Sequence, residues 1–565
     1  MGFKGKVSVL RRKDIIWNGM KKNYLIILIF FGLIYILPLG VRPLVTPDET
    51  RYAEIPREMM KSGDWTVPRF NGFRYFEKPV MNHWLNGISM LIFGENEFAV
   101  RLPSALAAGF LALLLFVFVN SFTRNNLWAF YSSAIFLSFL EVFFVGVFSV
   151  TDSLLSLFLC AALIFFFYAC REKQYPVKAF YLFIFGVCCG LAFLMKGFLA
   201  FAVPVIVIVP FMIWEKRFKE LFTLAWIPMA AALLVSLPWC VTVHLREKSF
   251  WDYFFWVEHI GRFTSSGSGQ HPQPVWFFIP VILAGALPWT IIAPSIISGL
   301  GRDIFKTPFT RYAVCWLLFP LLFFSASSGK LATYILPCFP PLAILTASGI
   351  LNYLDRNSNT KSFNFSVKLL ASLMGLAAIA LIVSQFSGIE LIRLYGKGEN
   401  SKFILAFSGL ALWAIILRMS LKQDFFRKKL ALFCIAPLPL MFFFNFIVPG
   451  KVLDKKAPGA LLTRNIKNIA PDSVIVAYPS VAGAASWYLK RDDIYLLHKP
   501  GEFEHGLSYP DSKHRILSIE DFREVVEKGT FGENLILIME HRDKREMLPP
   551  GKFEDSVGEY FFIKY

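Results

Sequence analysis

The sequence predicts a polytopic α-helical membrane protein that ends in a small α/β domain. Its 565 residues are 56% apolar and 17% aromatic, and the mean hydropathy is +0.53. Apolar runs of membrane-spanning length recur as far as residue 448, and the last 115 residues or so are polar. A soluble protein of this length would not be so apolar.

Thirteen apolar runs are long enough to cross a bilayer, which predicts about thirteen transmembrane helices. The first follows a basic stretch, 1–22, and no small-residue cleavage site comes after it, so we interpret it as an uncleaved signal anchor with a cytoplasmic N-terminus. The transmembrane region is predicted to cover 23–450. Its runs lie near 23–41, 99–120, 127–147, 150–170, 178–195, 198–214, 222–243, 274–297, 312–328, 331–350, 367–386, 402–419 and 430–448.

The formal charge of +18 arises mostly from short links between these runs. With a cytoplasmic N-terminus, every alternate link is net basic, as the positive-inside rule requires, so we expect contacts with membrane lipids and no binding of nucleic acid. The other, outer face holds the loops 42–98 and 245–273 and the region 451–565. All eight Cys lie in apolar runs, and no disulfide framework or zinc-type spacing is visible.

The region 451–565 has the length and pattern of one small α/β domain. Apolar runs at 474–478, 494–497 and 535–538 predict strands, and the patterns at 457–469 and 519–528 predict helices. Ser518 to Asp521 has the form of a capping box, which favours the second helix.

The polar stretch from Thr46 to Tyr52 follows the first apolar run and has two interpretations. Thr46, Pro47 and Glu49 suit the start of a surface helix, in which the acidic residues only cap. Asp48 also shares a helical face with Arg51 and Tyr52, at i, i+3 and i+4 spacing. We interpret Glu49 as a capping residue, whereas Asp48 is placed to position a nucleophile or to bind a cationic group of a substrate.

Further charged residues adjoin apolar runs on the same predicted face. Asp152 lies in a turn between two runs, where an unpaired carboxylate is costly; a role in function is expected, with helix capping as the alternative. Lys78 follows Tyr75 and Glu77 at the end of the first loop and suits a phosphate, or snorkels to lipid headgroups. Lys196 is a lone cation between runs. Lys330 and Tyr334 share a helical face at i, i+4 spacing.

His259 and Arg262 lie in an aromatic interfacial stretch. At i, i+3 spacing they can address a phosphate together, or His259 can bind a metal with a carboxylate such as Glu77. A lone His is more often structural. The sequence therefore requires no cofactor, with a divalent metal such as zinc as the alternative.

Together these residues suit a transfer between phosphate-bearing lipids. Cations stabilise a phosphate leaving group, and carboxylates orient the other substrate. The sequence contains no P-loop and no G-x-G-x-x-G fingerprint for a nucleotide.

Several runs, in order, resemble the bacterial aminoarabinose transferases of lipid A, which belong to the C class of membrane glycosyltransferases alongside protein O-mannosyltransferases. The acidic motif is shared by the whole class, and the other runs are specific to the subfamily. The chain departs from the family in a longer basic N-terminus and around Asp152. The runs are Asp48 to Glu54, Ser62 to Trp65, Arg74 to Pro79, Lys196 to Ala200, Phe255 to Ile260, Gly329 to Leu331, Thr333 to Pro337, Gly501-Glu502 and Gly506 to Pro510.

The resemblance implies a pentosyltransferase that moves 4-amino-4-deoxy-L-arabinose from undecaprenyl phosphate to a lipid A phosphate in the periplasmic leaflet, which confers resistance to polymyxin and cationic antimicrobial peptides. It implies a zinc ion near Glu77 and His259 in some members. We expect a monomer. Asp48 and Asp152 would be catalytic, and the donor phosphate or another part of the substrates would contact Arg51, Tyr52, Tyr75, Lys78, Lys196, Arg262, Lys330, Tyr334 and Glu502.

Because the acceptor phosphate is already anionic near neutral pH, we expect Asp48 to orient the acceptor or bind the donor ammonium rather than act as a strong base. Three alternatives differ in class. A protein O-mannosyltransferase would share the acidic motif and the polyprenyl donor. A lipid flippase should carry polar residues through its spans, whereas these charges collect on one face. A membrane scaffold would leave that clustering unexplained.

Overall fold

The computed structural model describes residues 19–261, 272–356, 360–541 and 545–565. The predicted fold class is confirmed: it is a multi-span helical membrane protein with a C-terminal sheet domain. Within those residues, ten helices are long and apolar enough to cross a membrane. Their bounds are Gly19–Ile36, Glu97–Thr123, Thr151–Arg171, Tyr175–Lys196, Trp226–Arg246, Pro308–Ala326, Ala332–Arg356, Lys361–Phe386, Asn400–Leu421 and Phe426–Ile447.

Three predicted spans take other forms, so the count of thirteen is not confirmed. Asn126–Ser138 and Leu140–Gly146 meet at a bend of 63°, and Val275–Gly285 and Trp289–Leu300 at one of 92°. Leu199–Trp214 is an apolar helix of only 16 residues. Counting each bent pair as one span gives twelve in the described part of the chain. Hydropathy averages over a run and does not register a bend such as the extended backbone at Phe139.

Glycines let some membrane helices approach one another closely. A Cβ atom built on Gly186 would lie 2.3 Å from the carbonyl oxygen of Pro228 in the helix Trp226–Arg246. A Cβ atom on Gly299 would lie 1.9 Å from the carbonyl oxygen of Gly349. Close backbone approach through small residues is a common way to pack helices in a bilayer, where the hydrophobic effect does not drive helices together.

The loop 42–98 is folded. It contains the helix Asp48–Ser62, the short antiparallel strands β1 (Arg69–Phe70) and β2 (Phe73–Arg74), and the helix Met81–Phe93. The turn between the strands docks on the C-terminal domain, because the Asn71 side chain donates to the carbonyl oxygen of Ile494 at 2.8 Å and accepts from its N–H at 3.0 Å. We call the side that carries this loop and the C-terminal domain the loop face.

A six-stranded mixed sheet forms the core of the C-terminal region. Its order is β5-β4-β3-β6-β8-β7, with β5, β4, β3 and β6 parallel and the last two strands antiparallel. The three predicted strands, both predicted helical regions and the capping box at Ser518 are confirmed. The elements are the strands β3 (Val474–Ala477), β4 (Tyr495–Leu497), β5 (Ile516–Leu517), β6 (Leu535–Glu540), β7 (Phe553–Val557) and β8 (Tyr560–Lys564), and the helices Gly459–Asn465, Pro479–Leu489 and Ile519–Lys528.

Candidate active site

Asp48 and Glu49 begin the helix Asp48–Ser62 in opposite environments. The Asp48 side chain is 57% exposed and the Glu49 side chain 1%. Both oxygens of Glu49 accept hydrogen bonds from Arg42, at 2.8 and 3.1 Å, and from Arg101, at 2.7 and 2.9 Å. Arg42 also donates to the side-chain oxygen of Asn445 at 3.2 Å. We call Arg42, Glu49 and Arg101 the buried hub.

The interpretation of Glu49 as a capping residue is therefore wrong. Burial alone would raise the pKa of Glu49, but the charges and hydrogen bonds of Arg101 and Arg42 outweigh burial and lower it to about 2. The N-cap residue of the helix is Pro47, whose side chain makes no capping hydrogen bond. The Thr46 hydroxyl instead donates to the carbonyl oxygen of Lys456 at 3.1 Å. The carboxylate that local spacing assigned to the cap instead binds Arg42, seven positions away, and Arg101, 52 positions away, and it also accepts from the N–H of Val45 at 2.9 Å.

Asp48 faces a second cluster, which joins the loop to the C-terminal domain. Arg51 donates to Asp48 at 3.0 Å and to Glu502 at 2.5 Å. Burial raises the pKa of Glu502, Arg51 lowers it, Glu77 and Asp48 raise it, and the net direction is upward. Glu502 thus lies close to two other carboxylates, and Arg51 holds the group together.

Lys78 lies next to this cluster. Its ammonium group donates to the carbonyl oxygen of Glu77 at 2.8 Å and lies 3.6 Å from Glu258. The Tyr75 hydroxyl donates to Glu77 at 3.4 Å. Lys78 is therefore positioned at the loop face by backbone and carboxylate contacts.

The structure describes the side chain of only one of the two residues predicted to bind a metal. Glu77 lies beside Tyr75 and Lys78, but the side chain of His259 and all of Arg262 lie outside what the structure describes. Among the described residues, no group of three or more His, Cys, Asp or Glu side chains is arranged to hold a metal. A zinc ion at Glu77 and His259 remains a prediction.

Asp152 and Lys196 form a pair at the ends of two membrane helices. The Lys196 ammonium donates to one Asp152 oxygen at 2.6 Å, and the Thr333 hydroxyl donates to the other at 3.0 Å. The same ammonium lies 4.4 Å from the ring centroid of Tyr334, a cation–π contact. The structure thus brings together three residues that the sequence placed in separate spans.

Tyr52 connects the two halves of the site. It is 5% exposed, and burial is the main cause that raises its pKa to about 12. Its phenol interacts electrostatically with Arg51 and Asp48 on one side and with Asp152 and Lys196 on the other. The phenol therefore stays neutral near pH 7 and can donate a hydrogen bond to an anionic substrate group.

Lys330 has a different environment. It is 2% exposed, and its ammonium donates to the carbonyl oxygens of Gln273, at 2.8 Å, and Ser327. The N–H of Gln273 donates to the carbonyl oxygen of Ser328, so these bonds fasten the end of the second loop to the turn at Ser327. The hydrogen bonds described for this ammonium are to backbone rather than to the clusters above.

Two residues near the site were not singled out from the sequence. His83 is fully buried between the rings of Tyr52 and Tyr75, with centroid distances of 6.1 and 6.4 Å. In the described part of the chain neither of its ring nitrogens has a hydrogen-bond partner, and burial lowers its pKa to about 3. Glu141, close enough to interact electrostatically with Asp152, lies in the bent pair. An acidic residue inside a predicted span was the available signal for Glu141.

The chain resembles characterised glycosyltransferases along its whole length. Residues 20–254 match the sequence profile described as dolichyl-phosphate-mannose-protein mannosyltransferase, and residues 453–564 match the one described as the C-terminal domain of the arabinosyl transferase ArnT. The fold resembles that of ArnT from Cupriavidus metallidurans, solved in the apo state and bound to undecaprenyl phosphate. The TM-score is 0.77 in both cases, at 21% and 20% identity, over 95% of this chain and 97% of the other.

Three relatives share more of the sequence, and all are named undecaprenyl phosphate-alpha-4-amino-4-deoxy-L-arabinose arabinosyl transferase. The protein of Shewanella sediminis is 38% identical over 96% of this chain and 97% of its own. Those of Erwinia tasmaniensis and Aeromonas salmonicida are 37% and 38% identical, over 93% and 92% of this chain and 96% and 95% of their own. This chain therefore belongs to the family of undecaprenyl phosphate-alpha-4-amino-4-deoxy-L-arabinose arabinosyl transferases.

Proposed function

We propose that this protein transfers 4-amino-4-deoxy-L-arabinose from undecaprenyl phosphate to a phosphate group of lipid A, at the periplasmic side of a bacterial inner membrane. One observation carries the proposal: the pairs Asp48–Arg51 and Asp152–Lys196 converge on Tyr52 at the loop face. Carboxylates and cations at the end of apolar helices suit two substrates that are both anchored in the membrane and both carry phosphate.

The reaction is a displacement at the anomeric carbon of the sugar. An oxygen of the lipid A phosphate attacks this carbon and forms the new C–O bond. The bond from the same carbon to the undecaprenyl phosphate oxygen breaks, and its electron pair stays on the departing phosphate. No nucleotide takes part, and no proton must leave the acceptor when its phosphate is already ionised.

The cations of the site favour this step by stabilising the leaving phosphate. Lys78 and Tyr334 are the first candidates to hold the donor phosphate, and Arg262 and Lys196 are further candidates. Lys196 is held by Asp152 at 2.6 Å, so Asp152 acts by fixing a cation. Asp48, more than half exposed, is free to orient the acceptor or to bind the ammonium group of the sugar.

The basic links between helices support the orientation. By the positive-inside rule we expect the N-terminus in the cytoplasm and the loop face, with both clusters and the C-terminal domain, in the periplasm. Residues 1–18 of the basic N-terminus lie outside the described residues. We propose a monomer, because one chain supplies Asp48, Lys78, Asp152 and Glu502. A zinc ion at Glu77 and His259 is checked by metal analysis of the purified protein.

The test is mass spectrometry of lipid A from cells with and without the gene. Aminoarabinose on lipid A should depend on the gene, and an unchanged content would contradict the proposal. The match of residues 20–254 to a mannosyltransferase profile favours one second candidate, a protein O-mannosyltransferase. Purified protein offered lipid A and a Ser/Thr peptide together should modify only lipid A.

A further inference from the structure

The helix Asp48–Ser62 carries a second group of buried charges further along its length. Glu54, Arg57 and Glu58 are 0%, 4% and 4% exposed. Arg57 donates to both oxygens of Glu54, at 2.7 and 2.6 Å. Glu54 and Glu58, which we call the carboxyl pair, lie on one helical face at i, i+4 spacing. Two buried carboxyl groups thus accompany one arginine on this helix, and a buried charge without a partner is costly.

The two oxygens of Glu58 have different surroundings. One accepts a hydrogen bond from the N–H of Gly72 at 2.8 Å. The other is buried, and no N–H or hydroxyl group in the described part of the chain donates to it. The carboxyl groups of Glu58 and Glu54 lie close enough to hydrogen-bond each other. Because an ionised carboxylate only accepts hydrogen bonds, this bond requires a proton on one of the two groups.

The surroundings favour this proton on Glu58. Burial and the charge of Glu54 raise the pKa of Glu58 well above its ordinary value, against the Gly72 N–H and Arg57, which lower it. Burial also raises the pKa of Glu54, but the two hydrogen bonds from Arg57 oppose that rise. Two carboxyl groups that share a buried site cannot both ionise easily, and the one with the weaker cationic partner keeps the proton.

The nearest cation of the C-terminal domain is engaged elsewhere. Arg515 attracts Glu58 electrostatically. Its guanidinium group donates to the side-chain oxygen of Asn71 at 3.2 Å and to the carbonyl oxygen of Ile494 at 2.8 Å. Arg515 therefore helps to hold the turn at Asn71 on the domain rather than binding the carboxyl pair.

One further ion pair acts on the group from its other end. Lys490 attracts Glu54, and Glu95 attracts Arg57, and both rank below the contacts within the helix. The Lys490 ammonium lies 2.6 Å from a carboxylate oxygen of Glu95, so these two charges largely cancel. A second negative charge on the carboxyl pair would thus find no free cation among the described neighbours.

The carboxyl pair lies where the first loop meets the C-terminal domain. Gly72, which donates to Glu58, is in the turn between β1 and β2 and has a φ of 75°. A Cβ atom on Gly72 would lie 2.5 Å from the carbonyl oxygen of Asp492, so the turn contacts the domain backbone directly. A displacement of the Glu58 carboxyl group would therefore be felt at this contact.

We infer that Glu54 and Glu58 share one proton at neutral pH and that this proton latches the first loop to the C-terminal domain. With the proton in place, Glu58 is uncharged and stays bound to Glu54 and Gly72. Loss of the proton puts two carboxylates beside one arginine in a buried site, which drives Glu58 away from Gly72 and loosens the turn. The helix that begins at Asp48 then loses a support. The latch rests on no step of the proposed reaction and is tested without substrate.

Infrared difference spectroscopy of the detergent-purified full-length protein detects the proton directly, because a protonated carboxyl group and a carboxylate absorb at different frequencies. The spectrum of wild type minus Glu58→Gln at pH 7 should contain the band of one protonated carboxyl group. Glu520, an exposed carboxylate of the C-terminal domain, supplies the matched control, and wild type minus Glu520→Gln should lack this band. Absence of the band from the Glu58 difference would overturn the shared proton.

Thermal unfolding from pH 5 to 9 measures the effect on stability. A carboxyl group with a raised folded pKa stabilises fully below its ordinary 4.5, and this stability is lost as the pH rises toward the folded pKa. Glu58→Gln keeps a donor for Glu54 and an acceptor for Gly72 and does not titrate. Relative to this variant, the unfolding equilibrium constant of the wild type should rise about tenfold per pH unit until the folded pKa is reached. A difference independent of pH would overturn the proposal.

Two further variants keep the test decisive if Glu58→Gln folds poorly. Glu54→Gln leaves Glu58 as the one carboxylate for Arg57, so its unfolding should also lose the pH dependence. The double variant leaves Arg57 buried without a carboxylate and should melt below either single variant at every pH. Changes that simply add between the two single variants would contradict the pairing.

Hydrogen exchange of residues 69–74 locates the effect at the latch. At one pH the intrinsic exchange rates of wild type and Glu58→Gln are equal, so a difference reports the opening of the turn. The two proteins should be protected equally at pH 5, and the wild type should exchange faster at pH 8. Equal protection at both pH values would overturn the latch.

Discussion

Asp48 and Glu49 are neighbours in the chain with the same chemical group and opposite roles. Glu49 is enclosed by two guanidinium groups, whereas Asp48 is 57% exposed beside Arg51. The difference comes from the helix, because successive residues point about 100° apart, one into the protein and one into the site. The buried hub fixes the backbone, and the exposed cluster can then present Asp48 in a defined position. Stability and chemistry are thus divided between adjacent residues.

The largest effect is expected from breaking the hub. Arg101→Met would leave Glu49 buried with one of its two cations missing, and breaking a buried ion pair typically costs about 3–5 kcal/mol. We expect little folded protein in detergent, measured by size-exclusion chromatography and thermal unfolding. Arg418→Met is a matched control, since Arg418 is exposed in the last turn of the helix Asn400–Leu421. Normal unfolding of the Arg101 variant would show that the hub does not hold the site.

The second effect tests the exposed side of the comparison. Asp48→Asn keeps the side-chain volume and should melt like wild type, because Asp48 is exposed. Turnover should fall about 100-fold, the magnitude typical of losing one positioned electrostatic contact. If Asp48 orients a substrate, the deficit should be the same from pH 6 to 8. A variant that retains most of its turnover would exclude an essential role for Asp48. A deficit in turnover that becomes smaller as the pH rises would favour a general base.

The third prediction concerns pH and the buried hub. The pKa of Glu49 is lowered from its ordinary 4.5 to about 2 in the folded protein. A carboxylate with a lowered folded pKa stabilises fully above pH 4.5, and this stability is lost as the pH falls toward 2. The loss between pH 7 and 3 should be about 2 kcal/mol. Thermal unfolding of wild type and Glu49→Gln across this range isolates it, because other carboxylates cancel in the difference. A difference independent of pH would contradict the assignment.

The smallest effect is expected at His83, a buried side chain whose ring nitrogens have no hydrogen-bond partner among the described residues. Replacing a buried group that lacks hydrogen bonds with an apolar one of similar shape is typically neutral or stabilising. His83→Phe should therefore leave the melting temperature unchanged or raise it by a few degrees, with turnover within twofold. A large loss of turnover with intact folding would place His83 in the catalytic machinery.

Single charges at the ends of apolar runs were predictable from the sequence. Asp152, Lys196 and Lys78 stood out because a charge beside a bilayer is costly. In the structure Lys196 donates to Asp152, Lys78 donates to the backbone of Glu77, and Tyr52 interacts electrostatically with Asp152 and Lys196. Thr333, whose hydroxyl donates to Asp152, lies in one of the runs that resemble the family. Its spacing in the sequence did not indicate this hydrogen bond.

Long-range partners were not predictable by local spacing. Glu49 fitted a capping box, and nothing near it indicated Arg101, which is 52 positions away. The bends after Ser138 and Gly285 were missed for a related reason: a broken apolar run has the same composition as a straight one. The strands β7 and β8 were also missed: β8 pairs with β6 across the sheet, and β7, which pairs only with β8, is too exposed to form an apolar run.

The contact between Arg42 and Asn445 has a consequence for the order in which the protein is made. It spans 403 positions, and the N–H of Thr46 meets the carbonyl oxygen of Lys456 at 2.8 Å. During synthesis the first loop emerges long before its partners exist. A nascent chain that has not yet inserted Leu438–Ile447 lacks the contact that closes the hub on one side. Incomplete chains should therefore be inactive in the membrane, and activity should appear only once the whole chain has been delivered.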